Sequence, residues 1–258
     1  MPTALITGAS SGIGAAFAHE LAKRRYDLVL VARSVAKLEQ MAQQLQTQHQ
    51  VMVEVLVQDL TVPDAATKIF DKVNHKNIAI DLLINNAGFG DFGLFSESSR
   101  TRQLEMIQLN VLALVDLTHQ FLPLMKQRGS GSIINVSSLA AFRALPCLSI
   151  YAATKAFVLS FSESLWAENK KHGIRILALC PGRTDTEFFR VARMPQQVPP
   201  KNTLDSSADV VCEALRALES DRSNVVTGWR NKLKANLPRF LPRERWVKLN
   251  TPKKLISL

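Results

Sequence analysis

The chain has 258 residues, 47 % of them hydrophobic, and a formal charge of +10; that length can bury a full core, and an α/β fold of this size is commonly one domain. Cys147, Cys180 and Cys212 are odd in number and lack a CxxC spacing, and the five histidines are equally scattered, which argues against a disulfide framework and against a metal centre. Residues 229–258 carry nine Lys or Arg against Glu244 alone, whereas the first 228 carry 23 against 21, so the basicity belongs to the tail and the main domain shows no nucleic-acid signature.

No run of twenty apolar residues occurs, and Met1-Pro2-Thr3 enters the first predicted strand without a charged leader or apolar h-region; a soluble, cytoplasmic protein is the expectation. Ala4, Leu5 and Ile6 form an apolar run suited to a strand buried on both faces. After it, Thr7-Gly8-Ala9-Ser10-Ser11-Gly12-Ile13-Gly14 offers little side-chain bulk, so backbone there can approach a ligand closely. Phe17 and Leu21 then recur at helical spacing, which puts the glycines where a strand ends and a helix begins. The free N–H groups and positive dipole of such a helix end suit a diphosphate. Gly8-xxx-Gly12-x-Gly14 is not the G-x-G-x-x-G fingerprint, and by itself such a turn is also compatible with a simple tight connection.

Asp27–Ala32 reads as the second buried strand, with Arg33 directly after it. In a doubly wound sheet that position meets the ribose of a bound dinucleotide, where an arginine suits a 2′-phosphate; the plainer reading is a solvated arginine opening the helix predicted over Ser34–Gln48. Strands are predicted over Val51–Val57, followed by Gln58-Asp59-Leu60, and over Ile80–Ile84, followed by Asn85-Asn86-Ala87-Gly88, with a helix over Ala65–Val73 between them. One long helix is predicted over Arg102–Arg128, ended by Gly129-Ser130-Gly131. Asn110 is its odd member, because an amide in an apolar helix must find partners. A fifth strand over Ser132–Val136 ends at Ser137-Ser138, again polar residues on the edge where ligands bind.

A helix over Ser149–His172 contains Tyr151 and Lys155, four apart and therefore on one face. A free phenol has a pKa of about 10, and bringing it ~2 to 3 units lower takes roughly 3 to 4 kcal/mol. A lysine charge about 4 Å away at an effective dielectric of 20 supplies roughly that much before its own desolvation is counted. A Tyr-xxx-Lys pair alone is nonetheless common on any helix surface.

Taken together, Thr7-Gly8-xxx-Gly12-x-Gly14, Asp59, Asn85-Asn86-Ala87-Gly88, Asn110, Ser138, Tyr151-xxx-Lys155 and Pro181-Gly182-xxx-Thr186 follow one another in an order that resembles the single-domain short-chain dehydrogenase/reductase family, from about Thr3 to Thr227. The VLVARS…KLE stretch after the second strand is similar to the YqjQ/DltE-like group of bacterial reductases. The resemblance implies a doubly wound Rossmann-type parallel sheet of about seven strands with helices on both faces. Residues 1–228 would form the NADP(H)-binding catalytic domain, and 229–258 a basic amphipathic extension. Tyr151 would exchange a proton with the substrate oxygen while hydride moves to or from the nicotinamide. Lys155 would hold the nicotinamide ribose and lower the Tyr151 pKa. Ser138, thirteen residues before the tyrosine, would hydrogen-bond the carbonyl or alkoxide, and Asn110 would keep a water in a proton relay through Lys155. The cofactor-binding set it implies is Gly8, Ser10, Ser11, Gly12, Ile13, Gly14, Arg33, Asp59, Leu60, Asn86, Ala87, Gly88, Tyr151, Lys155, Pro181, Gly182, Thr184 and Thr186. Within that set Asp59 would contact adenine, and Asn86, Ala87 and Gly88 would flank its ribose. The family's usual PGxV pattern is replaced here by Pro181-Gly182-Arg183-Thr184.

Three loops carry Phe89, Phe92 and Phe95; Phe142, Leu145 and Cys147; and Phe188, Phe189 and Met194, which points to an apolar carbonyl or alcohol substrate. In the tail, Trp229, Leu233, Leu237, Phe240, Leu241, Trp246 and Leu249 alternate with basic residues, while Pro238, Pro242 and Pro252 prevent one continuous helix. Packing on its own domain, packing on another subunit and contact with anionic lipid all remain open for it. The function expected is an NADP(H)-dependent carbonyl reductase, homo-dimeric or homo-tetrameric through the helices holding Asn110 and Tyr151. The alternative is a non-catalytic NADP(H) sensor or scaffold, which has no need of a tuned phenol. A sugar-nucleotide epimerase of the larger relatives would require a longer C-terminal substrate domain.

Overall fold

The computed structural model describes residues 1–194, 204–240 and 242–251; Leu241 and Pro252 of the predicted tail pattern lie outside them. Seven parallel strands, β1 (Thr3–Thr7), β2 (Asp27–Ala32), β3 (Val53–Val57), β4 (Leu82–Asn85), β5 (Gly131–Val136), β6 (Ile174–Cys180) and β7 (Asn224–Val226), form one sheet in the order β3-β2-β1-β4-β5-β6-β7. The order reverses between β1 and β4, and in open α/β sheets the crevice at the carboxyl ends of those strands is where ligands bind.

Because β1 and β2 are covered on both sides, their apolar residues run without interruption and alternate between two cores. Ala4, Ile6, Leu28 and Leu30 pack with α1 (Gly12–Lys23), α2 (Val35–His49) and α8 (Ser207–Glu219) through Phe17, Leu38, Leu45 and Val210. Leu5, Val29 and Val31 pack on the other face with α3 (Ala65–His75), α5 (Ala113–Arg128) and α6 (Ser149–Asn169) through Ile69, Leu117, Phe121 and Leu165. The predicted two-sided sheet is therefore present with its expected strand count.

Element boundaries differ from the sequence pattern by a few residues at several ends, β3, β4 and the long helix among them. Strand β3 begins at Val53, two residues later than predicted, and β4 runs Leu82–Asn85, so Asn85 is a strand residue in register with Asn135. The predicted helix over Arg102–Arg128 is divided into α4 (Arg100–Ile107), a π turn over Gln108–Leu112, and α5. The π turn contains Asn110, and widening of this kind re-aims a side chain inside a continuous helix. Gly129, at φ +65°, ends α5 in the left-handed conformation.

Beyond β6 come a short helix α7 (Phe188–Val191), then α8 and β7, and finally α9 (Trp229–Asn236), a 3₁₀ turn over Leu237–Phe240 and α10 (Arg243–Asn250). Helix α9 buries Ala235 against Ala178, Cys180 and Val226 at the end of the sheet. Among the described residues no helix is long and apolar enough to cross a membrane.

Candidate active site

The glycine turn and the loop after β4 are fastened to each other. Thr7 Oγ1 donates to the Ile84 carbonyl at 3.2 Å and accepts from the N–H groups of Asn86 and Ala87 at 2.9 and 3.0 Å. The Asn86 amide donates in turn to the Thr7 and Gly8 carbonyls at 2.9 and 3.3 Å. Gly8 sits at φ +64°, and a Cβ there would come within 2.8 Å of that amide; at Gly14 a Cβ would run into the Gly8 carbonyl. Gly12, at φ +56°, lies under the Thr186 methyl group. Ser11 takes the N-cap position of α1 with extended backbone, yet its hydroxyl makes no capping bond. The first-turn N–H groups therefore have no intrahelical acceptor and no cap, which is the donor set a phosphate needs. Ser10, Gly12 and Ile13 are half-buried and Ser11 is exposed, so the turn is open to a ligand.

At the end of β2, the exposed Arg33 guanidinium stands 3.7 Å from the Asp59 carboxylate, with Leu60 buried beside it. Asp59 also accepts from the N–H and hydroxyl of Thr61 at 2.8 and 2.7 Å. Burial pushes the Asp59 carboxyl up, but the Thr61 hydrogen bonds and the Arg33 charge outweigh it and hold the group below its ordinary value.

The reactive group is built on α6. Tyr151 and Lys155 are both buried, one helical turn apart, with Lys155 Nζ 5.9 Å from the phenol ring centroid. Ser138 lies just past the end of β5, near enough to the phenol to act on its pKa, and its hydroxyl accepts from the Ala140 N–H at 3.1 Å. Ser137 points elsewhere: it is buried and donates to the Lys155 carbonyl at 2.7 Å. The two adjacent serines thus separate into one facing the reacting position and one bracing the helix.

The electrostatics correct the sequence arithmetic. Burial pushes the Tyr151 phenol up to about 12, against the opposing effect of Ser138. Burial likewise pushes Lys155 down to about 8. The lysine's ammonium donates to the Val136 carbonyl at 2.7 Å, so its charge is directed at the strand end. The desolvation left out of the 4 Å estimate is the larger effect: burial pushes the phenol up and the ammonium down.

Asn110 has the partners its position demands. Its Oδ1 accepts from the Phe89 N–H at 3.1 Å, and its Nδ2 donates to the Phe89 carbonyl at 3.0 Å and to Thr154 Oγ1 at 3.2 Å. Gly88 lies between this amide and the lysine: a Cβ there would sit 2.9 Å from Asn110 Oδ1 and 3.5 Å from Lys155 Nζ. Asn110, Gly88 and Lys155 therefore converge, as do Ser138 and Tyr151.

Beyond β6, the Pro181 carbonyl accepts from the Leu139 N–H at 2.8 Å, and Gly182 is held against the Asn231 amide of α9. Thr184 is buried and forms a parallel bridge with Asp205. Arg183 is exposed, so the departure from PGxV puts a cation at the surface and leaves Thr184 inside.

On the substrate side, Phe89, Phe92, Leu145, Phe188 and Met194 pack around Met106, Ala140, Leu148 and Tyr151. The Phe188 ring lies 5.1 Å from that of Tyr151, centroid to centroid, and Phe189 meets Phe188 edge-on at 5.9 Å. The Cys147 carbonyl accepts from the Gly93 N–H at 2.9 Å, joining two of the three loops. Phe95 and Phe142 do not join this cluster: Phe95 is exposed, and Phe142 packs with Leu139 and Ala235.

Several contributors, among them Thr118, Asn135, Ser162 and Asp91, carry no prominent sequence signal. Asn85 donates to Asn135 Oδ1 at 2.9 Å and to Thr118 Oγ1 at 3.1 Å, and Asn135 donates to Ser162 Oγ at 2.9 Å, making a buried polar bridge across β4, β5, α5 and α6. The same rule that singles out Asn110, an amide in an apolar element needing partners, applies to Asn135. Buried Asp91 accepts from Arg102 Nε at 2.8 Å and Gln103 Nε2 at 3.1 Å, while Arg102 Nη2 donates to the Val191 carbonyl of α7 at 2.7 Å. This cluster clamps α7 over Tyr151. Among the described residues, no group of three metal-ligating side chains converges.

Residues 2–197 match the family model described as short chain dehydrogenase. An uncharacterized oxidoreductase of Staphylococcus saprophyticus is 34 % identical over 183 residues, covering 71 % of this chain and 78 % of that protein. The very-long-chain 3-oxoacyl-CoA reductase of Macaca fascicularis is 30 % identical over 242 residues, covering 92 % of this chain and 76 % of that protein. Among solved structures, a short-chain dehydrogenase from Sphingobium yanoikuyae in complex with NADPH matches with a TM-score of 0.85 and 34 % identity over 93 % of each chain. The bulky-bulky ketone specific alcohol dehydrogenase from Comamonas testosteroni matches with a TM-score of 0.79 and 30 % identity, covering 93 % of this chain and 92 % of that one.

Proposed function

Because the chain belongs to the short-chain dehydrogenase family, we propose that it is an NADP(H)-dependent reductase of apolar ketones or aldehydes, with Ser138, Tyr151, Lys155 and Asn110 as its catalytic group. Membership makes it a nicotinamide-dependent oxidoreductase; the choice of NADP(H), the substrate class and the residue roles are the proposal. The observation that carries it is the pairing of Tyr151 and Lys155 on one buried face of α6, with Lys155 Nζ 5.9 Å from the phenol ring centroid and Ser138 close enough to act on the phenol.

Bound NADP(H) supplies or accepts the hydride. The turn Gly8 to Gly14, with Ser10, Ser11 and the open first-turn N–H groups of α1, holds the diphosphate. Arg33 takes the 2′-phosphate, Asp59 and Leu60 border the adenine, and Asn86, Ala87 and Gly88 flank the ribose. Pro181, Gly182, Thr184 and Thr186 border the nicotinamide end, and Lys155 holds its ribose hydroxyls. In reduction, Tyr151 gives its proton to the substrate oxygen, which the Ser138 hydroxyl also hydrogen-bonds. Burial keeps the phenol protonated, so Tyr151 carries the proton that reduction transfers. The Tyr151 proton is replaced by way of Lys155, on which Gly88 and Asn110 converge.

The apolar cluster around Tyr151 supports a substrate with an extended apolar body. The relatives named for very-long-chain 3-oxoacyl-CoA and for bulky ketones agree with that class. Leu104, Leu112 and Phe157 are exposed on α4, the π turn and α6, and support a homo-dimer or homo-tetramer through those helices. A cytoplasmic site of action goes with this reading, with residues 1–228 as the catalytic unit.

The test is consumption of NADPH and NADH with a panel of ketones, aldehydes and 3-oxoacyl thioesters, with Tyr151→Phe as control. NADPH oxidation that disappears in the variant supports the proposal. NADPH binding by both proteins with no turnover on any substrate favours the sensor reading.

A further inference from the structure

We propose that the outward face of α9 and of the 3₁₀ turn after it is a docking surface for an anionic lipid bilayer. Trp229, Leu233, Leu237 and Phe240 are 67 %, 63 %, 52 % and 80 % exposed. Spacings of four, four and three residues put them on one side of the helix and its continuation. The opposite side is fastened inward, by Ala235 buried against Ala178, Cys180 and Val226, and by the Asn231 amide donating to the Thr227 carbonyl at 2.8 Å and to Asp205 Oδ2 at 2.9 Å. The exposed stripe is thus held in place by the rest of the domain, with its large apolar side chains turned to solvent.

Charge selects the occupant. Arg230 and Lys234 border the stripe on one margin, and Lys232, which also reaches Glu213, borders the other. Helix α10 adds exposed Arg243, Arg245 and Lys248, and Glu244 is the only acid in residues 229–258. Two copies meeting through this face would bring like charges together, whereas a negatively charged headgroup layer pairs with the cations and receives the tryptophan, leucines and phenylalanine between them. A handful of basic residues near such a surface gives reversible binding that falls with salt. The inner side of α9 rests against Gly182 and the 3₁₀ turn following Ser138, so a single helix separates these two segments from the docked surface. The docking stands on these surface residues alone and does not depend on the reaction proposed above.

The test is co-sedimentation of the full chain with vesicles of phosphatidylcholine alone and of phosphatidylcholine with phosphatidylglycerol. Two paired variants are compared, Leu233→Ser with Phe240→Ser, and Arg230→Glu with Lys234→Glu, each checked for unchanged NADPH binding and thermal unfolding. Binding to the anionic vesicles only, weakened at least about tenfold by either pair and by added salt, is the expected result. Absence of wild-type binding, binding that survives both pairs, or a wild-type dimer that Leu233→Ser with Phe240→Ser dissociates while vesicles go unbound overturns the proposal.

Discussion

Asn110 grips Phe89 with both ends of its side chain, accepting the Phe89 N–H at 3.1 Å and donating to the Phe89 carbonyl at 3.0 Å. The loop after β4 is in this way pinned to the π turn, next to Lys155. Removing the amide leaves two part-buried backbone groups of Phe89 without their partners, at a cost of about 1–3 kcal/mol. Asn110→Ala is expected to lower the melting temperature by several degrees and to reduce kcat far more than NADPH affinity. Thermal unfolding and steady-state kinetics on the same preparation check both; a variant with wild-type kcat would remove Asn110 from the catalytic group.

The buried lysine makes stability depend on pH. In the unfolded chain Lys155 has its ordinary pKa near 10.5, and in the folded protein about 8. Between those values the unfolded state binds more protons, so the lysine's contribution to stability rises with pH and is fully lost below about 8. Tyr151 and Cys180, both pushed up to about 12, act in the opposite sense, because they ionise on unfolding from about pH 9 upward. Comparing wild type with Lys155→Met in urea unfolding isolates the first effect. From pH 7 to pH 9 the difference is expected to move in the wild type's favour by about 1–2 kcal/mol. A pH-independent difference would mean that Lys155 is solvated well enough to keep its ordinary pKa.

The sequence carries what local spacing can encode. Tyr151 and Lys155 are one turn apart in any helix, and the glycines at 8, 12 and 14 mark the strand-to-helix turn wherever that turn is placed. Asn110 is legible because an amide in an apolar stretch needs an explanation. The Asn85–Asn135 bond joins residues fifty positions apart through the register of β4 and β5, and no local pattern reveals it. The Asp91–Arg102–Val191 clamp depends likewise on two loops meeting. The direction of the phenol's pKa is hidden for a related reason: spacing gives the distance between two charges, but only the packed fold shows how much water each has lost.

Gly14 tests the diphosphate cradle apart from the chemistry. A Cβ at this position runs into the Gly8 carbonyl and the Asn86 amide, both parts of the rigid fastening between the turn and the β4 loop. Gly14→Ala must therefore displace backbone, at a cost of about 1–3 kcal/mol. NADPH affinity, followed by nucleotide fluorescence, is expected to fall at least about tenfold, in step with that displacement. Gly129→Ala is the control, because a Cβ there meets nothing within 4 Å and only the left-handed φ is strained; it is expected to lose stability and keep NADPH affinity.

Arg33 decides between the two nicotinamide cofactors. Its guanidinium is three-quarters exposed, and its ion pair with Asp59 is long, 3.7 Å, and a single contact. Asp59 does not depend on it for orientation, since Thr61 already holds that carboxylate with two shorter hydrogen bonds. The arginine is thus free to turn to a 2′-phosphate, where its planar fork matches the anion, without leaving a buried partner unpaired. A charge-assisted hydrogen bond is worth about 1.5–3 kcal/mol, so Arg33→Ala is expected to lower kcat/KM for NADPH roughly 10–100-fold and to leave that for NADH nearly unchanged. Asp59→Asn serves as the companion variant: it removes the competing carboxylate charge, and improved use of NADPH is the expected direction. Initial rates with both cofactors at one substrate concentration give the ratio. Equal use of NADH by the wild type would return Arg33 to a solvated residue at the start of α2.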